Sequence, residues 1–212
     1  MTQIINTTPT VIEEWTVFRI KQLHIGFLKG DGTYDGLAKD GCINDIEVEP
    51  ESRSITKKCE GVQVLDRPQV DWLNLTINAH FLPSTLRKMD GLTNEGLKTG
   101  VYGYPKYPKN ATLIITAIAT DENQVEKLIA FPIVSAPNGL TFSIDDEEDE
   151  VQLMERELRA YNDSNDMSYY EAFINELVDD EVKTEWLTNF KPELVKLVET
   201  ITSGNEEELP EG

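Results

Sequence analysis

Few side chains in the sequence could do acid–base or nucleophilic chemistry. The two histidines, His24 and His80, are the only imidazoles that could activate a nucleophile. Each lies in a segment with the alternating pattern of a strand, where a single histidine is usually a hydrogen-bonded sheet residue. The two cysteines, Cys42 and Cys59, lack metal-ligand spacing and are too few for a disulfide framework. Because catalytic and phosphate-binding motifs are also absent, the sequence predicts no enzyme activity and no cofactor.

The acidic run from Asp145 to Glu150 is a candidate for binding a divalent cation. Hard cations bind clustered carboxylate oxygens, but the EF-hand order with its central glycine is missing here. A solvated acidic loop is the simpler interpretation. A metal-dependent hydrolase built on this run remains an alternative, and it predicts that divalent ions stabilise the protein against heat.

The stretch from Val101 to Lys109, VYGYPKYPK, interleaves tyrosines with lysines. That composition could form a stacking platform for single-stranded nucleic acid. Pro105 and Pro108 favour instead an extended loop whose tyrosines pack at a subunit contact.

Charge is the most unusual feature of the composition. The 212 residues carry 19 Lys plus Arg and 39 Asp plus Glu, a formal net charge of −20, which argues against gripping nucleic acid through its phosphates. Residues 1–144 hold 14 cations and 17 anions, and residues 145–212 hold 5 and 22. The acidity is therefore concentrated in the last third (5 − 22 = −17), and 144/145 is a composition boundary where the chain could still return to the same sheet.

No sequence signal directs the chain to a membrane. It has no run of 18 apolar residues, and its start, MTQIINTTPT, lacks the charged and apolar regions of a signal peptide. We therefore expect no membrane anchor and assembly in a cytoplasm.

Alternation of apolar and polar residues predicts a mainly β domain. The clearest case runs from Leu73 to Phe81, where every second residue is apolar, so one face packs and the other is polar. Pro83 and Gly91 bound a predicted helix of about two turns. Strands are predicted at 16–28, 43–49, 70–82, 111–119, 125–134, 139–144 and 150–161.

Two segments differ from this pattern. Residues 50–69 are mostly polar and predict a long hairpin or arm after a break at Pro50. From Tyr170 to Ile201 the apolar spacing is helical, which makes the element order α+β. The predicted organisation is a β domain at 1–163, a helical extension at 164–203 and a disordered acidic tail at 204–212.

Several strings within residues 16–163 occur in a distinctive order. They are HIGFL at 24–28, EPES at 49–52, NAHFLP at 78–83, GLKTGVYGYP at 96–105, ATDE at 119–122 followed by KLIAFPIV at 127–134, and DEVQLMERELRAYND at 149–163. In this order the strings resemble the major tail (tail tube) proteins of long-tailed bacteriophages that infect Gram-positive bacteria. The helices predicted after residue 168 depart from that family's compact pattern.

The resemblance implies a β-sandwich or small barrel with one flanking helix. Six copies would close into a ring, and stacked rings would form a hollow tail tube through which phage DNA passes without specific binding. The implied partners are further copies of the chain and the tape measure, tail-initiation or baseplate, and tail-terminator proteins, and the implied location is the virion tail. The segment implied to contact a neighbouring subunit contains Pro50, Arg53, Lys57, Lys58, Val62, Val64 and Pro68.

Two acidic residues are candidates for lining such a tube. Glu155 and Glu157 alternate with Met154, Arg156 and Leu158 on a predicted strand, so both point to the same solvent-exposed face. Inward carboxylates would repel DNA phosphates within the screening length of about 8 Å at physiological salt. The acidity could instead cover the outside and keep the protein soluble. A monomeric virion decoration or adaptor protein is the alternative function.

Overall fold

A computed structural model describes residues 12, 14–29, 33–59, 62–109, 111–143 and 153–197. The predicted acidic run at 145–150 and the acidic tail at 204–212 lie outside these residues. The elements are β1 (Arg19–Phe27), β2 (Ala38–Lys39), β3 (Cys42–Cys59), β4 (Val62–His80), α1 (Pro83–Met89), β5 (Thr112–Thr120), β6 (Glu126–Ser135), β7 (Met154–Tyr161), β8 (Tyr170–Phe173), α2 (Asp180–Glu185) and a short 3-10 helix (Pro192–Val195).

The strands form one antiparallel sheet in the order β2-β1-β5-β6-β7-β4-β3, and β8 also pairs with β6. The sheet turns at β7, which pairs with β6 only at Arg159–Tyr161 and with β4 from Met154 to Ala160. This turn brings β1 across the interior from β3, although the two strands are not hydrogen-bonded to each other. The predicted mainly β, α+β class is confirmed.

The space between the two halves of the sheet is the main core. Every second residue of each central strand points into it, as the 2-residue strand period requires. Met89 at the end of α1 closes one end and is fully buried. The buried members are Leu23, Ile25, Leu75, Ile77, Ala79, Phe81, Met89, Leu113, Ile115, Phe131, Val134, Ala136, Leu158 and Ala160.

A second core lies on the outer side of β5 and β6. Ile114, Ile118 and Leu128 point away from the main core and are covered by the segment after β8. In that segment Trp186 is buried, donates a hydrogen bond from Nε1 to the Ile129 carbonyl at 3.2 Å, and packs on the Phe190 ring at 4.8 Å. Strands β5 and β6 are apolar on both faces because both faces are covered.

The predicted helix beginning at Tyr170 is wrong, because Tyr170–Phe173 form the strand β8. Strand β7 leaves the edge of β6 after Ile133, and β8 takes over that edge at Lys127–Ala130. Unpaired backbone groups of a buried strand need partners, and this requirement overrides the helical spacing. The helix predicted around Val182 and Trp186 is confirmed, since α2 covers Asp180–Glu185.

Two other predicted boundaries are also wrong. Residues 139–143 form no strand. No break occurs at Pro50, which pairs with Leu73 inside β3. Strand β3 is at the edge of the sheet, where a missing proline N–H need not remove a ladder hydrogen bond.

The buried carboxylate of Asp40 fixes the start of α1. Its Oδ1 accepts hydrogen bonds from Thr85 Oγ1 at 2.7 Å and from the Leu82 N–H at 3.3 Å. Leu82 is the N-cap residue and has no side-chain cap, so Asp40 supplies an acceptor from another part of the chain. Burial raises the pKa of Asp40, and these hydrogen bonds only partly offset the effect.

We expect Trp186→Ala to destabilise the whole domain by about 3–5 kcal/mol, because it removes a large fully buried side chain. Urea denaturation followed by circular dichroism measures the change. Leu197→Ala, at a position 88% exposed, is the control and should stay within about 0.5 kcal/mol of wild type. If Trp186→Ala also changed the free energy of unfolding by no more than about 0.5 kcal/mol, the C-terminal segment would not be part of the cooperative unit.

We expect Asp40→Asn to change how stability depends on pH. Because the folded-state pKa of Asp40 is raised, its contribution is present at low pH and is lost as pH rises. The free energy of unfolding of wild type minus that of Asp40→Asn should therefore fall as pH rises above about 4, the ordinary pKa of an aspartate. Thr85→Val removes a donor that favours the charged form and should extend this fall to higher pH. A difference independent of pH would contradict the assignment.

Candidate functional surface

One face of β3, β4 and β7 carries a ladder of carboxylates. The register places Asn78 between Asp45 and Glu155, and Thr76 between Glu47 and Glu157. Side chains of directly opposed residues project on the same face of a sheet. The next rows are Glu49–Asn74–Arg159 and Glu51–Trp72, the latter adjoining Tyr161. We call this surface, which includes Asp45, Glu47, Glu49, Glu51, Glu155 and Glu157, the acidic face.

The acidic face is exposed and has little positive charge of its own. Five of its six carboxylates are exposed, and Asp45 is half-buried. Within residues 42–51, 72–80 and 154–161 the cations are Arg156, which is buried on the opposite side, and Arg159. The Arg159 guanidinium lies over the Trp72 ring, 4.8 Å from its centroid. The six carboxylates therefore make a strongly negative surface.

Asparagine side chains hold several of these carboxylates in place. Asn78 Nδ2 donates to Asp45 Oδ1 at 2.8 Å, and Asn74 Nδ2 donates to Glu51 Oε2 at 3.2 Å. From outside the three strands, Asn138 Nδ2 donates to Glu157 Oε2 at 2.6 Å. Amide donors orient the carboxylates without neutralising them, as lysines would.

The opposite face of the same strands is anchored in the main core. Leu75 and Leu158 are buried there, in the row that also contains Val48. Arg156 is the exception to the apolar pattern, and its Nη2 pairs with Asp90 Oδ2 at 3.3 Å where α1 ends. Burial raises the pKa of Asp90, and the charge of Arg156 offsets only part of this. A one-residue slip of β7 would bury its glutamates, so the register of the acidic face is fixed.

The structure places both predicted lining residues, Glu155 and Glu157, on the acidic face. Sequence reasoning missed the four carboxylates of β3, although the pattern DIEVEPE at 45–51 shows them at every second position. The break predicted at Pro50 divided this pattern, so the four carboxylates were not recognised as one face of a strand. Strand β4 pairs with β3 on one side and with β7 on the other, and so places these carboxylates on the same face as Glu155 and Glu157. This pairing joins distant segments, and alternation within one strand does not specify it.

The predicted arm is a two-stranded extension of the sheet. Pairing of β3 with β4 continues from Glu51–Trp72 to Cys59–Val62, whereas β4 has no β7 partner beyond Leu73. We call residues 51–72 the hairpin arm. Its nine residues from 51 to 59, at a rise of about 3.3 Å each, span about 30 Å.

The structure gathers the predicted arm residues into this hairpin. Pro50 lies at its base, and Arg53 Nε pairs with Asp71 Oδ1 at 3.1 Å. In the backbone register Pro68 opposes Ser54. Further out, Lys57, Lys58, Val62 and Val64 lie on the two strands near the tip. The long hairpin is confirmed, and contact of these residues with another subunit remains a prediction.

The histidines are separate sheet residues. His24 is buried in β1, with Nδ1 2.9 Å from the Gln22 carbonyl, and His80 ends β4 opposite Cys42. In the described ranges, no group of three or more histidine, cysteine, aspartate or glutamate side chains could hold a metal ion. None of the helices there is long and apolar enough to cross a membrane.

The tyrosine-rich stretch at 101–109 forms a surface loop. Tyr102 is 39% exposed, Tyr104 47% and Tyr107 79%. The Arg87 guanidinium lies 4.1 Å from the Tyr102 ring centroid, and Lys106 Nζ lies 5.3 Å from that of Tyr107. This exposure leaves the rings available for a subunit contact.

Comparisons with known proteins show no family for this chain. No protein-family model matches it, and no curated protein sequence does. Among solved structures, a chain of the anti-feeding prophage baseplate, determined by cryo-EM with 6-fold symmetrisation, aligns over 78% of this chain and 97% of its own length. The identity is 11% and the TM-score 0.36, a similarity that carries no argument about fold or function.

We expect a lysine in the middle of the acidic face to stabilise the protein. Thr76→Lys places an ammonium group between Glu47 and Glu157 and should exceed the control Thr76→Met by about 0.2–1 kcal/mol in free energy of unfolding. Urea denaturation at about 0.01 M and about 1 M salt tests this, because salt screens exposed charges. An advantage that is unchanged at high salt would contradict an electrostatic origin.

Proposed function

We propose that this protein is a structural virion subunit that self-assembles into stacked hexameric rings, forming the hollow tail tube that conducts phage DNA. The acidic face carries the proposal, because six carboxylates on one ordered sheet face suit a wall along which DNA slides. We assign this face to the inside of the tube. The protein would have no catalytic activity and would need no cofactor.

The physical argument for the lining is electrostatic. Like charges repel within the screening length of about 8 Å at physiological salt, so a negative wall disfavours contact with phosphates. Rotational symmetry would repeat the six carboxylates of each subunit around the bore. Their attachment to a rigid sheet, rather than to a loop, would keep the bore smooth.

The hairpin arm supports self-assembly. Its outer strand edges have no partner among the described strands, and such edges can join neighbouring chains through main-chain hydrogen bonds. The hairpin arm holds four cations, Arg53, Lys57, Lys58 and Arg67, and four anions, Glu51, Glu60, Asp66 and Asp71, a net charge of 4 − 4 = 0. A neutral arm on a chain with a net charge of −20 can approach the body of another copy without adding to the repulsion between them.

The packing of the C-terminal segment weakens the alternative of a monomeric adaptor. That function would use the C-terminal helices as a docking element. Val182 and Trp186 of this segment are instead buried against the second core of the same chain. We therefore favour assembly, with tape measure, tail-initiation or baseplate, and tail-terminator proteins as partners, in a virion formed in the host cytoplasm.

Shortening the hairpin arm tests assembly directly. Replacing residues 53–69 with Asn-Gly joins Ser52 to Val70, which already oppose each other, through a turn suited to a hairpin. We expect the thermal midpoint to be retained and assembly to be lost. Electron microscopy and light scattering of both proteins, each co-expressed with tail-initiation proteins, measure this. Normal tubes from the shortened chain would exclude a bridging role for the arm.

Charge reversal tests the lining in an assembled tail. Glu155→Lys with Glu157→Lys should slow DNA ejection severalfold, because lysines inside the bore would bind phosphates. The matched control is Glu122→Lys with Glu181→Lys, which makes the same change of charge at exposed positions away from this face. Equal ejection rates in the two variants would place the acidic face outside the bore.

A further inference from the structure

An apolar groove lies where the two halves of the sheet part. It has a volume of about 550 Å³ and runs between the start of β1 and the inner side of β3. Val17 and Phe18 are 62% and 63% exposed on one wall, and Val48 is 42% exposed on the other. The floor includes Leu73 and Phe131. Exposed apolar side chains in this concentration mark a binding surface.

The floor of the groove is ordered by two polar contacts to Glu171. Lys127 Nζ pairs with Glu171 Oε2 at 2.5 Å and lies 4.8 Å from the Trp15 ring centroid. The Tyr169 hydroxyl donates to Glu171 at 2.7 Å. With this pair satisfied internally, the groove offers an occupant apolar contacts and few free charges.

Both walls of the groove present strand edges. Strand β1 pairs with β2 only at His24 and Ile25, so its edge at Arg19–Lys21 has no partner among the described strands. Strand β3 is the last strand of the sheet, and its outer edge is likewise open in the described structure. An added strand could hydrogen-bond to such an edge while its side chains fill the groove.

The sequence contains one segment with the matching composition. Residues 1–12, MTQIINTTPTVI, carry no charged side chain in a chain that is 27% charged, and eight of the twelve are threonine, isoleucine or valine. β-Branched residues favour strands. The chain leads away from the groove at this point, because Trp15 lines the groove whereas the Ile12 N–H bonds to Glu176 Oε1, outside it.

We infer that the groove between β1 and β3 receives residues 1–11 of a second copy of this chain as an added strand. Two bodies with a net charge of −20 repel each other, and an uncharged strand joins them without bringing further carboxylates together. Eleven residues extend to about 36 Å, more than the roughly 23 Å spanned by residues 44–50 of β3 along the groove. The inference rests on the proposed self-assembly for the presence of that second copy.

Disulfide trapping with the full chain tests the inference. The protein carries Cys42→Ser and Cys59→Ser to remove its own thiols, and Val48→Cys places one thiol on the groove wall. A synthetic peptide of residues 1–11 with Ile5→Cys is the probe. We expect it to cross-link severalfold more to Val48→Cys than to Glu47→Cys, the control on the opposite face of the same strand. Equal or absent cross-linking would overturn the inference.

A second arm of the experiment identifies which copy supplies the strand. Full chains carrying only Ile5→Cys are mixed with full chains carrying only Val48→Cys, and a disulfide-linked pair of chains is expected. If a chain carrying both thiols forms only an internal disulfide and the mixture forms none, the strand comes from the same chain and the inference is wrong. Trapping of the peptide does not require ring formation, so it can succeed even if the protein forms no tubes. Tubes can likewise form even if the peptide is not trapped, so the inference and the proposed function can fail separately.

Discussion

The register of β4 between β3 and β7 is the constraint on which the rest of the structure depends. Leu75 and Ile77 of β4 must point into the main core, because burying them stabilises the fold by about 1.5–3 kcal/mol each. Thr76 and its neighbours must then point outward. The same pairing sets β3 on one side and β7 on the other, so the core determines where every carboxylate of the acidic face lies.

This arrangement has an electrostatic cost that the rest of the domain must offset. Carboxylates in neighbouring rows repel each other, and nothing in folding alone requires them to be together. The second core, built on Trp186 and Phe190, supplies stability elsewhere. A like-charged surface maintained at a cost in stability is understandable as a functional surface.

The open strand edges of this protein could pair with other chains, so indiscriminate pairing at these edges must be limited. The hairpin arm displays edges beside Arg53 and other charged side chains, and charges on an edge strand discourage indiscriminate pairing. The groove between β1 and β3 is apolar but is bounded by a strongly negative face. Selective partners for these edges are therefore ones that bring positive charge or no charge.

Local pattern was sufficient for most strands and for α1. Alternation from Leu73 to Phe81 and the Pro83 and Gly91 boundaries depend on neighbours in the chain, so the sequence alone predicted the mainly β class, the short helix and the long hairpin. It also placed Glu155 and Glu157 together on a wet strand face, since the strand period is two residues. The net charge of −20 argues against binding nucleic acid through its phosphates, and the presence of only two imidazoles argues against histidine-based catalysis.

Only the tertiary structure decided the remaining features, and they all depend on contacts between distant segments. Tyr170–Phe173 became a strand because β6 had an unpaired edge, and Pro50 was accommodated because β3 is an edge strand. The acidic face formed because β4 pairs with residues 45–51 on one side and with residues 154–161 on the other. Periodicity reports how a segment presents its own side chains, whereas pairing between segments depends on which edges the assembled core leaves unsatisfied.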